Sequence, residues 1–190
     1  MTRSLVFAFV LVVLNAPAAA DGYAYQARIE GMVCAFCAYN VGKTIGTLTG
    51  VDTESVTVDL EANLVDFHAS GPVEWAEVSA AFTDSGFVLA KLDQVDGLPA
   101  KISSSKGSPL IGIEFDSVDA NQFETILEAI GETASTQGLR LVIEAPEALE
   151  LDLLMPLLMG RKHAINVRFV PTDKASIHLK MYSASVAPIQ

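Results

Sequence analysis

Both cysteines of the chain lie in one short stretch, Gly31 to Cys37, with the sequence GMVCAFC. A run typical of a strand, Tyr23 to Glu30, precedes it, and a run typical of a helix, Ala38 to Leu48, follows it. The thiolate is the form of cysteine that binds metals, and a helix N-terminus lowers the pKa of a nearby cysteine. Thiolates select soft ions such as Cu(I) and Zn(II). Cys34 and Cys37 therefore suggest a soft-metal site.

A structural role for this pair is not favoured. A disulfide between Cys34 and Cys37 would close a very short loop and would join no distant parts of the chain. Metal binding and thiol redox chemistry remain as the two uses of the pair.

The elements that must position the cysteines follow from the apolar pattern of residues 23–92, which predicts strand, helix, strand, strand, helix, strand. Apolar residues alternate in the strands and recur at helical spacing in the helices. In the second helix, Trp75, Val78 and Phe82 are expected to share a face. Glycines end both helices, at Gly50 and Gly86.

This pattern, together with the cysteine stretch, resembles the heavy-metal-associated domain, the family of copper chaperones, N-terminal domains of metal-pumping ATPases and the periplasmic mercury-binding protein. Its motif, Gly-Met-x-Cys-x-x-Cys, is matched by residues 31–37 at every defined position. The resemblance covers about residues 24–92, where Gly50-Val51 and Gly86-Phe87 also fall at family positions. It implies an α+β fold, a ferredoxin-like βαββαβ sandwich.

The resemblance also implies roles for four residues. Cys34 and Cys37 would be the metal ligands, Met32 would turn inward and support their loop, and Phe87 would lie near that loop. Val33, which precedes the first cysteine, cannot coordinate a metal, whereas zinc usually takes four ligands. Two thiolates suit a nearly linear ion, so we expect Cu(I) first, Hg(II) second and Zn(II) less readily.

The first 20 residues have the composition of a signal peptide. Arg3 precedes an unbroken apolar run, Leu5 to Leu14, and small residues follow at Ala18 to Ala20. The run is shorter than the roughly 20 apolar residues that span a bilayer. We expect cleavage after Ala20. The mature protein is then expected outside the inner membrane, most simply in the periplasm, and without a membrane span.

The negative net charge of the chain limits the kinds of partner that it is expected to bind. The net charge is −11, and carboxylates outnumber lysine and arginine about threefold over residues 24–92. Such a chain is not expected to bind nucleic acid or anionic membranes. In the family it resembles, donor copper chaperones present lysines to an acidic receiving domain. We therefore expect a metal-donor or metal-acceptor protein with a basic docking surface as the partner.

The rest of the chain is predicted to hold a linker, residues 93–109, and a second small α+β domain, residues 110–185. Its predicted order is strand, helix, strand, helix, strand, strand, and we recognise no family in it. Pro146 is expected to start the second of these helices, and Pro156 to kink or end it. On an unbroken helix, Met155, Met159 and His163 would share a face, although methionine commonly fills core gaps instead of binding copper.

Three functions remain open from the sequence. The first is a non-enzymatic, exported protein that holds one Cu(I) between two thiolates for transfer or sequestration. The second is a thiol–disulfide oxidoreductase that uses the same pair. The third is a structural or sensory module whose metal domain is degenerate. A permanently oxidised pair would favour the third function, because an oxidised pair cannot bind Cu(I). Since an exported protein meets an oxidising compartment, a metal site there needs a reductant or prompt metal loading.

Overall fold

The computed structural model describes residues 22–83, 85–96, 108–115 and 123–183. They form two units, each with a four-stranded sheet and two helices. We call residues 22–96 the first unit and residues 108–183 the second unit. The predicted signal peptide and residues 97–107 of the predicted linker lie outside the described residues, and the proposed domain boundaries stay predictions. In the described residues, no helix is long and apolar enough to cross a membrane.

The first unit has the predicted βαββαβ order. Its strands pair antiparallel in the order β2-β3-β1-β4, which is the ferredoxin-like arrangement. Its strands and helices are β1 (Tyr23–Glu30), α1 (Ala35–Gly46), β2 (Thr57–Asp59), β3 (Leu64–Ala69), α2 (Trp75–Ala81) and β4 (Val88–Gln94).

The core of the first unit lies between the sheet and one face of α1. Alternate residues of β1 and β3, such as Ala27, Ile29 and Phe67, are fully buried there because successive strand residues point to opposite sides. Val41 and Ile45 of α1 pack onto them at helical spacing. The predicted amphipathic pattern is therefore the pattern that closes this core.

The second unit also has the predicted element order. Its sheet runs β5-β8-β6-β7, with β6 and β7 parallel and the other pairs antiparallel. Its strands and helices are β5 (Ile111–Phe115), α3 (Glu124–Gln137), β6 (Arg140–Ala145), α4 (Glu150–Leu158), β7 (Asn166–Pro171) and β8 (Ile177–Tyr182). The parallel pair uses α4 as its crossover, as parallel strands require a long connection.

The two helices of the second unit approach each other unusually closely. Gly131 of α3 is buried, and a Cβ atom built there would lie 2.9 Å from the carbonyl carbon and 3.0 Å from the Cα atom of Leu157, with the Leu157 carbonyl oxygen nearer still. Only glycine leaves room for the α4 backbone at this point.

Trp75 is the first residue of the seven-residue helix α2 and is 46% exposed, so it does not join Val78 and Phe82 in the core of the first unit. Pro156 was expected to kink or end its helix. It does not end α4, which continues to Leu158, and the amide of Met159 donates to the carbonyl of Met155 at 2.9 Å.

Candidate metal site

The cysteines lie at the start of α1, and the helix begins earlier than its apolar spacing predicts, at Ala35 instead of Ala38. Cys34 is the N-cap residue, with an extended backbone, and its Sγ atom accepts a hydrogen bond from the amide of Cys37 at 3.2 Å. The carbonyl of Cys34 accepts the first helical hydrogen bond, from Ala38. The side chain of Cys34 thus caps the N-terminus of this helix, a role that serine or aspartate fills in many other helices.

The turn before the cysteines needs a glycine. Gly31 follows β1 with φ of 100°, a region that favours glycine. A Cβ atom there would lie 3.0 Å from the carbonyl oxygen of Gly86 and 3.4 Å from the Phe87 ring. Phe87 thus packs against the base of the cysteine loop, and its ring meets that of Phe82 edge-on at 6.1 Å.

The residues on either side of this turn point in opposite directions. Met32 is 5% exposed and belongs to the core of the first unit, whereas Val33 is 84% exposed. The loop is therefore anchored by one side chain and presents the other to solvent, next to Cys34.

Cys34 and Cys37 are bonded to each other, with their Cα atoms 5.1 Å apart, a separation that disulfides commonly span. Both residues are half-buried. The structure therefore represents the oxidised form of the pair, in which neither sulfur is free to bind a metal. Within the described residues there is no group of three or more histidine, cysteine, aspartate or glutamate side chains that could hold a metal ion.

The second unit covers the other side of α1, a contact that was not predicted from the sequence. Ala35 is fully buried in the core of the second unit, and Phe36 and Tyr39 pack against that core. The hydroxyl group of Tyr39 donates to the Glu150 carboxylate at 2.7 Å, and Lys43 donates to the same oxygen atom. The signal in the sequence was an aromatic pair, three residues apart, outside the stripe formed by Val41 and Ile45.

This polar contact changes the ionisation of its members. Burial raises the pKa of Tyr39, and its hydrogen bond to Glu150 and the charge of Glu150 raise it further. Burial also acts to raise the pKa of Glu150, but the hydrogen bonds from Lys43 and Tyr39 and the charge of Lys43 outweigh it, so that the pKa lies below its ordinary value. Glu150 is thus ionised and Tyr39 neutral at neutral pH.

Two further polar contacts join the units. Arg168 pairs with Glu54, and His163 pairs with Glu61 at 2.9 Å between Nδ1 and Oε1. A cleft of about 450 Å³ also lies between the units, and neither cysteine lines it.

The structure does not assemble Met155, Met159 and His163 on one helix. Met155 and Met159 are both exposed, but Met159 follows the last residue of α4, Leu158, and has an extended backbone. His163 lies further along the chain, with its ring beside Glu61.

Comparison with known families identifies the first unit. Residues 27–87 match the family model of the heavy-metal-associated domain. The resemblance that the cysteine stretch suggests is thereby confirmed for these residues, and a heavy-metal-associated domain implies binding of a soft metal ion. This match leaves out the second unit.

No curated protein matches the chain. Among solved structures, the chain is similar to the N-terminal domain of ZntA, determined in solution in its Zn(II) form, with 28% identity and a TM-score of 0.34. That similarity covers 40% of this chain and 99% of the other.

Proposed function

We propose that the protein is an exported, non-enzymatic carrier that holds one Cu(I) ion between the thiolates of Cys34 and Cys37 and exchanges it with a partner protein. The observation that carries the proposal is the placement of both sulfurs at the N-terminus of α1 within a heavy-metal-associated domain. The amides at the start of a helix stabilise negative charge, and thus the thiolates. Cu(I) is favoured because thiolates select it and the site supplies two of them.

The disulfide between Cys34 and Cys37 must be reduced before the pair can bind a metal ion. Reduction of the bond between Cys34 and Cys37 consumes two electrons and two protons, which a dithiol supplies while it is oxidised to a disulfide. Cu(I) then displaces the two thiol protons as it binds. The proposed carrier therefore needs a dithiol reductant in its compartment, or a donor that delivers the metal before the pair oxidises.

The test is an anaerobic titration of the reduced chain, without residues 1–20, against a chromophoric Cu(I) chelator. We expect one tightly bound equivalent, which is lost in the double variant Cys34→Ser, Cys37→Ser. The matched control is Met155→Leu, Met159→Leu, which removes the exposed thioethers and should keep that equivalent. If the chain fails to compete with the chelator, the copper assignment is wrong, and Hg(II) and then Zn(II) are the ions to test.

The partner is proposed to be basic. Most carboxylates of the first unit are at least partly exposed, including Glu30 directly before the cysteine loop. Transfer from a lysine-rich donor should therefore slow steeply between about 0.05 and 0.5 M salt, because added ions screen charges beyond the Debye length of roughly 10 Å at 0.1 M. A transfer rate that does not change with salt would refute electrostatic docking while leaving the metal site intact.

The bonded cysteines themselves favour a second candidate, a thiol–disulfide oxidoreductase. In that reaction one thiolate attacks a substrate disulfide, and the other cysteine then resolves the mixed disulfide, which leaves the substrate as a dithiol and the pair oxidised. Catalytic turnover of a model disulfide substrate, with glutathione as the reductant, would support this activity. Stoichiometric reaction without turnover would favour the metal carrier.

A further inference from the structure

The second unit holds the residues that separate the two cysteines. Ala35, directly after Cys34, is fully buried in the core of the second unit, and Phe36, directly before Cys37, packs against the same core. The first turn of the metal-site helix is therefore shared between the two units.

A polar contact extends the interface between the second unit and α1 further along the helix. The Tyr39 ring stacks on that of Phe36 with centroids 6.4 Å apart, and its hydroxyl group donates to Glu150 at 2.7 Å. Lys43, one turn further, donates to the same carboxylate oxygen. Glu150 is the first residue of α4, so one end of α4 is fixed to the second and third turns of α1.

The support behind this contact is rigid. α4 contributes four fully or almost fully buried leucines to the core of the second unit, and its backbone contacts α3 at Gly131. A contact made by such a helix restricts the residues it touches, because a close-packed interior yields little to small displacements.

We propose that the second unit positions the thiol pair: by holding Ala35, Phe36 and Tyr39 it keeps the Sγ atoms of Cys34 and Cys37 within reach of each other. A disulfide and a two-thiolate metal complex both require the two sulfurs to be held together, and restriction of the loop beforehand lowers the entropic cost of each. The second unit therefore stabilises the oxidised pair against reduction and slows release of the metal. The statement about metal release rests on the proposed function, whereas the statement about the disulfide does not.

The test uses the full chain, without residues 1–20, and two variants at the contact. Glu150→Ala removes the shared acceptor, and Tyr39→Phe removes one donor while keeping the ring stacked on Phe36. The matched control is His163→Gln, which removes the imidazole ring from a different contact between the same two units. Urea unfolding of each variant shows whether it is folded and by how much its stability changes, and Tyr39→Phe supplies the result if Glu150→Ala does not fold.

The first measurement is the equilibrium of the pair with reduced and oxidised glutathione. Loss of a group that supports a metal ligand directly costs roughly 10–100-fold in affinity, so this more distant contact should change the disulfide equilibrium constant by about threefold to tenfold toward the dithiol. The control should leave that constant unchanged. The second measurement is the rate of Cu(I) release to a chelator, which should rise by a similar factor in the contact variants alone.

Two outcomes would overturn the proposal: an unchanged disulfide equilibrium in the folded contact variants, or the same change in His163→Gln, which would reflect general loosening of the units. If the equilibrium shifts as expected but no variant or parent binds Cu(I), the positioning role stands and the copper carrier is refuted.

Discussion

Replacement of Gly131 by alanine should destabilise the second unit, although alanine is the better helix former. The alanine Cβ would overlap the backbone carbonyl group of Leu157, which is part of α4 and cannot rotate away as a side chain could. α3 and α4 would have to separate by on the order of 1 Å, and a gap of that size forfeits a quarter to a half of each dispersion contact across it.

The size of the effect follows from two opposing contributions. Overpacking of a close-packed core costs about 1–3 kcal/mol, and a clash with backbone belongs at the upper end. Alanine in place of glycine inside a helix returns about 1 kcal/mol. The net loss is then about 2 kcal/mol, which at a urea dependence of about 2 kcal/mol per molar lowers the midpoint by about 1 M.

The assay is urea unfolding followed by far-ultraviolet circular dichroism, with fluorescence of the single tryptophan, Trp75, as a separate report on the first unit. The matched control is Gly112→Ala in β5, where an added Cβ would meet nothing within 4 Å and should leave the midpoint unchanged or slightly higher. An unchanged or raised midpoint in Gly131→Ala would refute the close approach of α3 and α4.

Tyr25→Phe should cost about 1–3 kcal/mol in urea unfolding, because the buried amide of Val73 donates to the Tyr25 hydroxyl at 2.9 Å and would lose its acceptor; an equal midpoint in parent and variant would contradict this. Acidification should weaken the contact between the units: folding lowers the pKa of Glu150, so its contribution to stability is present above the unfolded pKa of about 4.3 and is lost as the pH falls through the folded value. The midpoint of the parent should therefore drop more than that of Glu150→Gln below pH 4. Folding raises the pKa of Tyr39, so its contribution to stability is present below the unfolded pKa of about 10 and is lost as the pH rises further. Tyr39→Phe should therefore lose less stability than the parent at alkaline pH in the same titration.

Much of the fold could be predicted from the sequence because each element carries its own apolar period. The alternation over Tyr23 to Glu30 predicted β1 with its observed bounds. The start of α1 was misplaced because the predicted helix rested on apolar spacing, whereas the helix begins where the Cys34 side chain caps it. The exposure of Trp75 could not be read from the spacing of residues 75, 78 and 82, because it depends on the short length of α2, which begins at Trp75.

The candidate site could be predicted only in part, for a physical reason. The placement of Cys34 and Cys37 at a helix start depends on local sequence, so their spacing and the preceding Gly31 were informative. The contact between Tyr39 and Glu150 joins residues 111 positions apart, and no local pattern encodes a pairing of that range.

The packing of Ala35 and Phe36 against the core of the second unit limits the substitutions that could change the reactivity of the two cysteines. In many dithiol sites the two residues between the cysteines are a convenient place to retune reactivity. Here the first of them is fully enclosed by the neighbouring unit and the second packs against it. A bulkier residue at 35 would overpack the core of the second unit and so disturb the packing of the two units against each other. Ala35 and Phe36 thus serve both the packing of the two units and the thiol pair. A substitution at either position that changes the reactivity of the cysteines also changes the contact between the units.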